Sequence, residues 1–156
     1  MAYRWWLFLH LAGIFLFLTA HGVSVGVAFR LRKERDPRRV LALRELSASS
    51  TNGMYVGIAL LLLAGIVMGF MGDWWDMGWI WVSLGILVAT IVVMAILATP
   101  YYKRVAFVAK ALSEGSTAVG QAEFAALLSS SRPLVVAAIG FGALLGILYF
   151  MLFKPF

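Results

Sequence analysis

Four long apolar runs alternate with shorter polar segments along the 156 residues of the chain. The runs cover residues 5–29, 53–71, 79–99 and 133–153, and none has Asp, Glu, Lys or Arg in its interior. A helix that crosses a bilayer needs about 20 mostly apolar residues. The pattern therefore predicts an all-α polytopic membrane protein, a bundle of four transmembrane helices that forms a single domain over residues 1–156.

The polar segments between the runs differ in charge, which predicts their orientation. Residues 30–44 contain seven Lys or Arg, whereas residues 72–78 contain two Asp and no basic residue. Because cytoplasmic loops carry an excess of Lys and Arg, segments 30–52 and 100–132 are predicted to be cytoplasmic and both termini periplasmic. Aromatic residues typical of an interface lie at the predicted outer ends: Tyr3, Trp5, Trp6, Trp74, Trp75, Trp79, Trp81, Tyr149 and Phe150.

Composition supports a membrane protein, expected in the bacterial cytoplasmic (inner) membrane. Hydrophobic residues make up 63% of the chain and charged residues 13%, too little polar surface to cover a water-soluble globule. The first apolar run is longer than the h-region of a signal peptide, so a retained span is expected. Of the 13 basic residues, ten lie between Arg30 and Lys110, in the two predicted cytoplasmic loops. This distribution indicates a topology signal rather than a nucleic-acid-binding surface.

Proline, glycine and serine positions predict where the helices end. Pro100 is expected to end the third span, and Pro133 suits the first turn of the fourth. Residues 113–115 resemble a helix stop, with Ser116 or Thr117 as a restart. Segments 105–112 and 118–128 are compatible with helix, as is the basic stretch 37–47. We expect either a third helix that continues past the membrane or a short helix on its surface.

Glycines spaced four residues apart recur in three of the runs. This spacing lets helix backbones approach closely in lipid, where packing drives association. The expected role is packing within the bundle, and the alternative is a docking face for another subunit. The pairs are Gly22–Gly26, Gly53–Gly57, Gly65–Gly69 and Gly142–Gly146.

Both histidines of the chain, His10 and His21, lie in the first run. Their spacing is close to three helical turns, so they share a face about 16 Å apart along the axis. Ionisable residues at such depth are candidate functional sites. One hypothesis is that they are axial ligands of haem b, with Met68 and Met94 at matching depths as second ligands. The alternatives are hydrogen bonds to neighbouring helices, and another cofactor or ion such as copper.

Absent residue types limit the chemistry. The chain has no cysteine, which excludes disulfides, thiolate metal sites and haem attached through C-x-x-C-H. No catalytic triad, phosphate loop or pair of intramembrane carboxylates is present. The first expectation is an accessory subunit that packs against other helices in a larger, energy-converting membrane complex. The second is the haem-binding electron carrier, and an oligomeric channel or transporter is a distant third.

Two short motifs resemble those of small four-span bacterial membrane proteins related to the CopD copper-resistance membrane domain. W-L-x-L-H-L opens the first run, and Y-Y-K-R follows the third. This resemblance implies a four-helix bundle with a metal or haem near His10. The matching residues are Trp6, Leu7, Leu9, His10, Leu11, Tyr101, Tyr102, Lys103 and Arg104.

Overall fold

Five α-helices make up the computed structural model, which describes residues 1–116 and 120–156. They are α1 (Ala2–Leu31), α2 (Pro37–Met71), α3 (Gly78–Ser113), α4 (Gln121–Ser129) and α5 (Arg132–Phe153), with a 3₁₀ turn at Trp74–Asp76. Over these described ranges the chain forms no strand. Four segments are long and apolar enough to cross a membrane, namely α1, α2, α3 and the stretch that contains α4 and α5. The prediction of an all-helical chain with four potential spans is confirmed.

The second helix is much longer than its apolar run. It begins at Pro37, where the Asp36 side chain accepts a hydrogen bond from the Arg38 N–H at 2.9 Å. No glycine or proline interrupts residues 38–52, and extending a helix costs far less free energy than nucleating a new one. The basic stretch 37–47 therefore forms the first turns of α2.

Pro100 lies inside α3 and does not end it. The helix continues to Ser113, although proline supplies no N–H to the helical ladder. The stop predicted at 113–115 is confirmed by a Schellman arrangement, in which Gly115 has a φ of +77° and the Ser116 N–H donates to the Ala111 carbonyl at 3.0 Å. The restart expected at Thr117 and the start of segment 118–128 fall outside the described residues, and α4 begins at Gln121.

The helices associate as two principal pairs, α1 with α2 and α3 with α5. In the first pair the backbones touch: a methyl group added to Gly57 would lie 2.6 Å from the Phe17 nitrogen, and one added to Gly13 2.6 Å from the Leu61 nitrogen. Further along this interface the Ser24 and Ser50 hydroxyls are 3.0 Å apart. Close backbone contact and hydroxyl hydrogen bonds are the usual means by which helices associate in lipid.

One end of the bundle, here called the aromatic end, holds the 3₁₀ turn and both termini. The Tyr3 and Trp74 rings meet edge to face at 6.2 Å. The Trp79 N–H donates to the Phe156 carbonyl at 3.2 Å, and the Lys154 ammonium lies 4.1 Å from the centre of the Trp74 ring. These contacts attach the last residues of the chain to the α2–α3 connection.

The opposite end, here called the basic end, contains the buried core. The end of α1, the start of α2, the end of α3 and α4 enclose this basic-end core, which lies beyond most of the apolar runs. The Tyr101 hydroxyl donates to the Leu127 carbonyl at 2.8 Å, and Arg104 forms an ion pair with Glu123 at 2.6 Å. The buried members are Val27, Leu31, Val40, Tyr101, Val105, Val108, Ala109, Phe124 and Leu128.

Candidate functional site

His10 is held against α2 by a hydrogen bond. Its Nδ1 donates to the Leu61 carbonyl at 2.7 Å. A methyl group added to Gly65 would lie 3.3 Å from the ring, so the glycine gives the imidazole room to approach the α2 backbone. This contact matches the hydrogen-bonded alternative considered for the histidines.

His21 lies where α1, α3 and α5 meet. Its ring stacks on Phe17, with centroids 5.5 Å apart and planes at 10°. A methyl group added to Gly140 would lie 3.6 Å from the His21 Nε2 and 3.2 Å from the Met94 Cε. His21, Met94 and Gly140 therefore form one cluster, here called the His21 cluster.

The Nε2 atom of His21 is buried and has no hydrogen-bond partner among the described residues. A buried polar nitrogen without a partner is costly in a protein interior. In this cluster its closest neighbours are apolar, since the Gly140 backbone and the Met94 methyl lie on the same side. Such an atom is a candidate ligand for a bound group, and His21 is the stronger candidate of the two histidines.

The two candidate methionines differ in their surroundings. Met94 lies beside His21, as the depth comparison along the sequence suggested. Met68 is buried in α2, one helical turn beyond Gly65, which contacts the His10 ring. The sequence gave no indication of Gly140 or Phe17, because their contacts with His21 depend on how α1 and α5 are rotated about their axes.

The paired glycines fall into two groups. Gly65 meets His10, Gly69 meets the Trp75 indole, and a methyl group added to Gly146 would lie 3.7 Å from Ile86. By contrast, an added methyl group at Gly22, Gly26 or Gly142 meets nothing within 4 Å over the described part of the chain. All three of these residues are exposed, so they line faces that the bundle itself leaves open.

Other metal-binding arrangements are not evident. Within residues 1–116 and 120–156, no three His, Asp or Glu side chains come together as a metal site would require. Any metal or haem would therefore depend on isolated histidines, with methionine sulfur as the accompanying ligand.

Comparison with known proteins gives no relative on which to base an assignment. No protein-family model matches the sequence, and no curated protein and no solved structure matches it either. The functional argument consequently rests on the geometry of this chain.

Proposed function

We propose that the chain is an accessory subunit of the bacterial inner membrane that packs against other helices in a larger complex. The observation that carries this proposal is the set of exposed glycines, Gly22, Gly26 and Gly142, with nothing within 4 Å in the described structure. Glycine faces of this kind let a neighbouring helix approach to backbone contact. The bundle uses Gly13 and Gly57 in this manner internally.

The low burial of the helices also favours a partner. In the most apolar stretches, 22% of the residues are buried in α1 and α2, and 11% in α3 and in the α4–α5 stretch. Lipid can cover such surface, since acyl chains are as apolar as leucine. A second helix gains more from the surface than lipid does where glycines allow close packing.

The orientation that we propose places the basic end in the cytoplasm and the aromatic end in the periplasm. Ten basic residues lie in the connections and helix ends at the basic end or next to it. The aromatic end carries Asp73 and Asp76 together with the interfacial tryptophans. Both features agree with the positive-inside rule and the aromatic belts of membrane proteins.

The first test measures assembly size in native lipid. We expect wild-type protein, extracted from membranes in polymer-bounded lipid particles, to run larger than a 17.1 kDa monomer. The double variant Gly22→Leu/Gly142→Leu should weaken association by about tenfold, equivalent to about 1.4 kcal/mol. Gly26 is left unchanged because it also lines a separate hollow.

The matched control is Gly85→Leu in α3, where the glycine is likewise exposed with nothing within 4 Å but has no glycine four residues away. This variant should assemble as wild type. A monomeric wild type, or equal losses in the control and the double variant, would remove the basis of the proposal.

The unpartnered Nε2 of His21 supports a second candidate, a b-type haem protein for electron transfer. His21 would be one axial ligand and the Met94 sulfur the other, since haem iron accepts Met/His ligation. When bound, the haem would supply one-electron redox chemistry. A metal or haem near His10, as the CopD-like motifs imply, remains a prediction of the same kind.

A visible spectrum of protein produced with haem available tests this candidate. We expect an α-band that sharpens on reduction with dithionite, disappears in His21→Ala and shifts in Met94→Leu. His10→Ala should retain the band if His21 alone binds the haem. A flat spectrum of folded wild-type protein would leave both histidines as helix-packing residues.

A further inference from the structure

A polar hollow lies at the basic end, where α1 finishes and α2 begins. Gly26, Phe29, Arg30, Lys33 and Glu34 line a space of about 490 Å³. A second space of about 390 Å³ adjoins it and shares Arg30 and Glu34. Its other lining residues are Arg39, Ala42, Leu43 and Leu46.

The charge of this hollow is positive. Arg30, Lys33 and Arg39 contribute three positive charges, against one negative charge from Glu34. The Glu34 carboxylate already accepts hydrogen bonds from the Arg35 and Asp36 backbone N–H groups at 2.9 and 3.1 Å. These bonds hold the pKa of Glu34 below its usual value, and Arg39 and Arg30 act in the same direction.

The basic residues of the hollow are accessible to a ligand. Arg39 makes one long ion pair with Asp36, at 3.7 Å, and both side chains are well exposed. The salt bridges found in the described part of the chain do not include Arg30 or Lys33. An anion entering the hollow would therefore meet guanidinium and ammonium groups that retain hydrogen-bonding capacity.

Apolar surface adjoins these charges on the membrane side. Phe29 is 43% exposed and Leu46 52% exposed, and Gly26 leaves the α1 surface open beside them. A soluble anion has no use for this apolar surface, whereas an amphiphile matches both halves of the hollow. Basic pockets between helices on the cytoplasmic side are typical sites for anionic lipid head groups.

We propose that the hollow binds the phosphate head group of an anionic phospholipid of the inner leaflet. Arg30, Lys33 and Arg39 contact the phosphate, and the acyl chains extend past Phe29 and Gly26 toward the membrane interior. The proposal rests on the orientation given above and is independent of the partner complex, since a monomer in a bilayer presents the same hollow.

Native mass spectrometry of the full chain in neutral detergent tests this inference by titration with single lipids. Wild type should bind phosphatidylglycerol at least about tenfold more tightly than phosphatidylcholine. The triple variant Arg30→Gln/Lys33→Gln/Arg39→Gln should lose at least about tenfold in phosphatidylglycerol affinity, because each basic residue near a surface contributes about 1 kcal/mol, or about fivefold.

A charge-matched control separates a specific site from general attraction. Arg38→Gln/Lys103→Gln/Lys110→Gln removes three exposed basic residues that do not line the hollow, and we expect less than about threefold loss, since only diffuse attraction is weakened. Arg30→Lys/Arg39→Lys should keep most of the affinity. Circular dichroism of each variant verifies that the helices are intact.

Three results would overturn the inference. The first is equal affinity of wild type for the two lipids, and the second is equal loss in the triple variant and its control. The third concerns the source of the phosphate: displacement of phosphatidylglycerol by millimolar inorganic phosphate or glycerol phosphate would make the hollow a site for soluble anions.

Discussion

Replacing Leu128 with alanine is expected to lower the free energy of unfolding by about 2–5 kcal/mol. Leu128 is 1% exposed in the basic-end core, where it packs with residues of α1, α2, α3 and α4. Truncation would leave a cavity among four elements that cannot all move to fill it. The basic end lies beyond the apolar runs, so the hydrophobic effect contributes there at full strength, whereas between helices in lipid it does not.

Leu46→Ala provides the matched control, because Leu46 is 52% exposed on α2 at the same end of the bundle. We expect its unfolding free energy to change by less than about 0.5 kcal/mol. Steric trapping in bicelles measures both variants under the same conditions. Similar losses for Leu128→Ala and Leu46→Ala would contradict the assignment of the basic-end core as the most strongly packed region.

The four apolar runs could be predicted because lipid imposes a simple requirement on the chain. A span must be long, apolar and internally hydrogen-bonded, and residues 53–71 satisfy this through composition alone. The helical continuation of α2 back to Pro37 was harder to foresee. Its residues are polar and basic, and their helicity depends on the adjoining span and on packing against α3 and α4.

The passage of α3 through Pro100 illustrates the same limitation. Proline usually ends a helix in sequence-based reasoning, yet the neighbours of Pro100 here favour continuation. Tyr101, Val105 and Val108 follow at helical spacing and are buried in the basic-end core. Their burial compensates for the hydrogen bond that proline cannot donate.

The candidate site could be predicted in depth but not in rotation. Residue counting placed Met94 at the level of His21, and the two side chains do lie against the same residue, Gly140. Counting along a helix gives its axial coordinate from the rise per residue. The direction in which a side chain points depends on the contacts of the whole bundle, which is why Gly140 itself was not foreseen.

The glycine pairs show the consequence of this missing rotation. Gly22–Gly26 and Gly53–Gly57 have the same spacing, but Gly57 meets the α1 backbone while Gly22 and Gly26 face outward. Gly13, which has no glycine four residues away, supplies the other half of the close contact. Spacing therefore indicates where close approach is permitted, and only the assembled bundle determines where it occurs.

Substitution of Gly57 with alanine is the most direct way to disturb the α1–α2 pair. The added methyl group would lie 2.6 Å from the Phe17 nitrogen and 2.9 Å from its Cα, closer than nonbonded atoms can approach. Both neighbours are backbone atoms, so no side-chain rotation relieves the contact and the helices must separate. We expect a loss of about 1–3 kcal/mol of unfolding free energy, the usual range for overpacking.

Gly22→Ala is the control, because it adds the same methyl group to α1 where nothing lies within 4 Å. It should leave the stability of the isolated bundle within about 0.5 kcal/mol of wild type. Gly13→Ala should resemble Gly57→Ala, and the double variant should lose less than the sum of the two, since one separation of the helices relieves both contacts. Full additivity would mean that Gly13 and Gly57 act at independent places, which is incompatible with a single backbone crossing between α1 and α2.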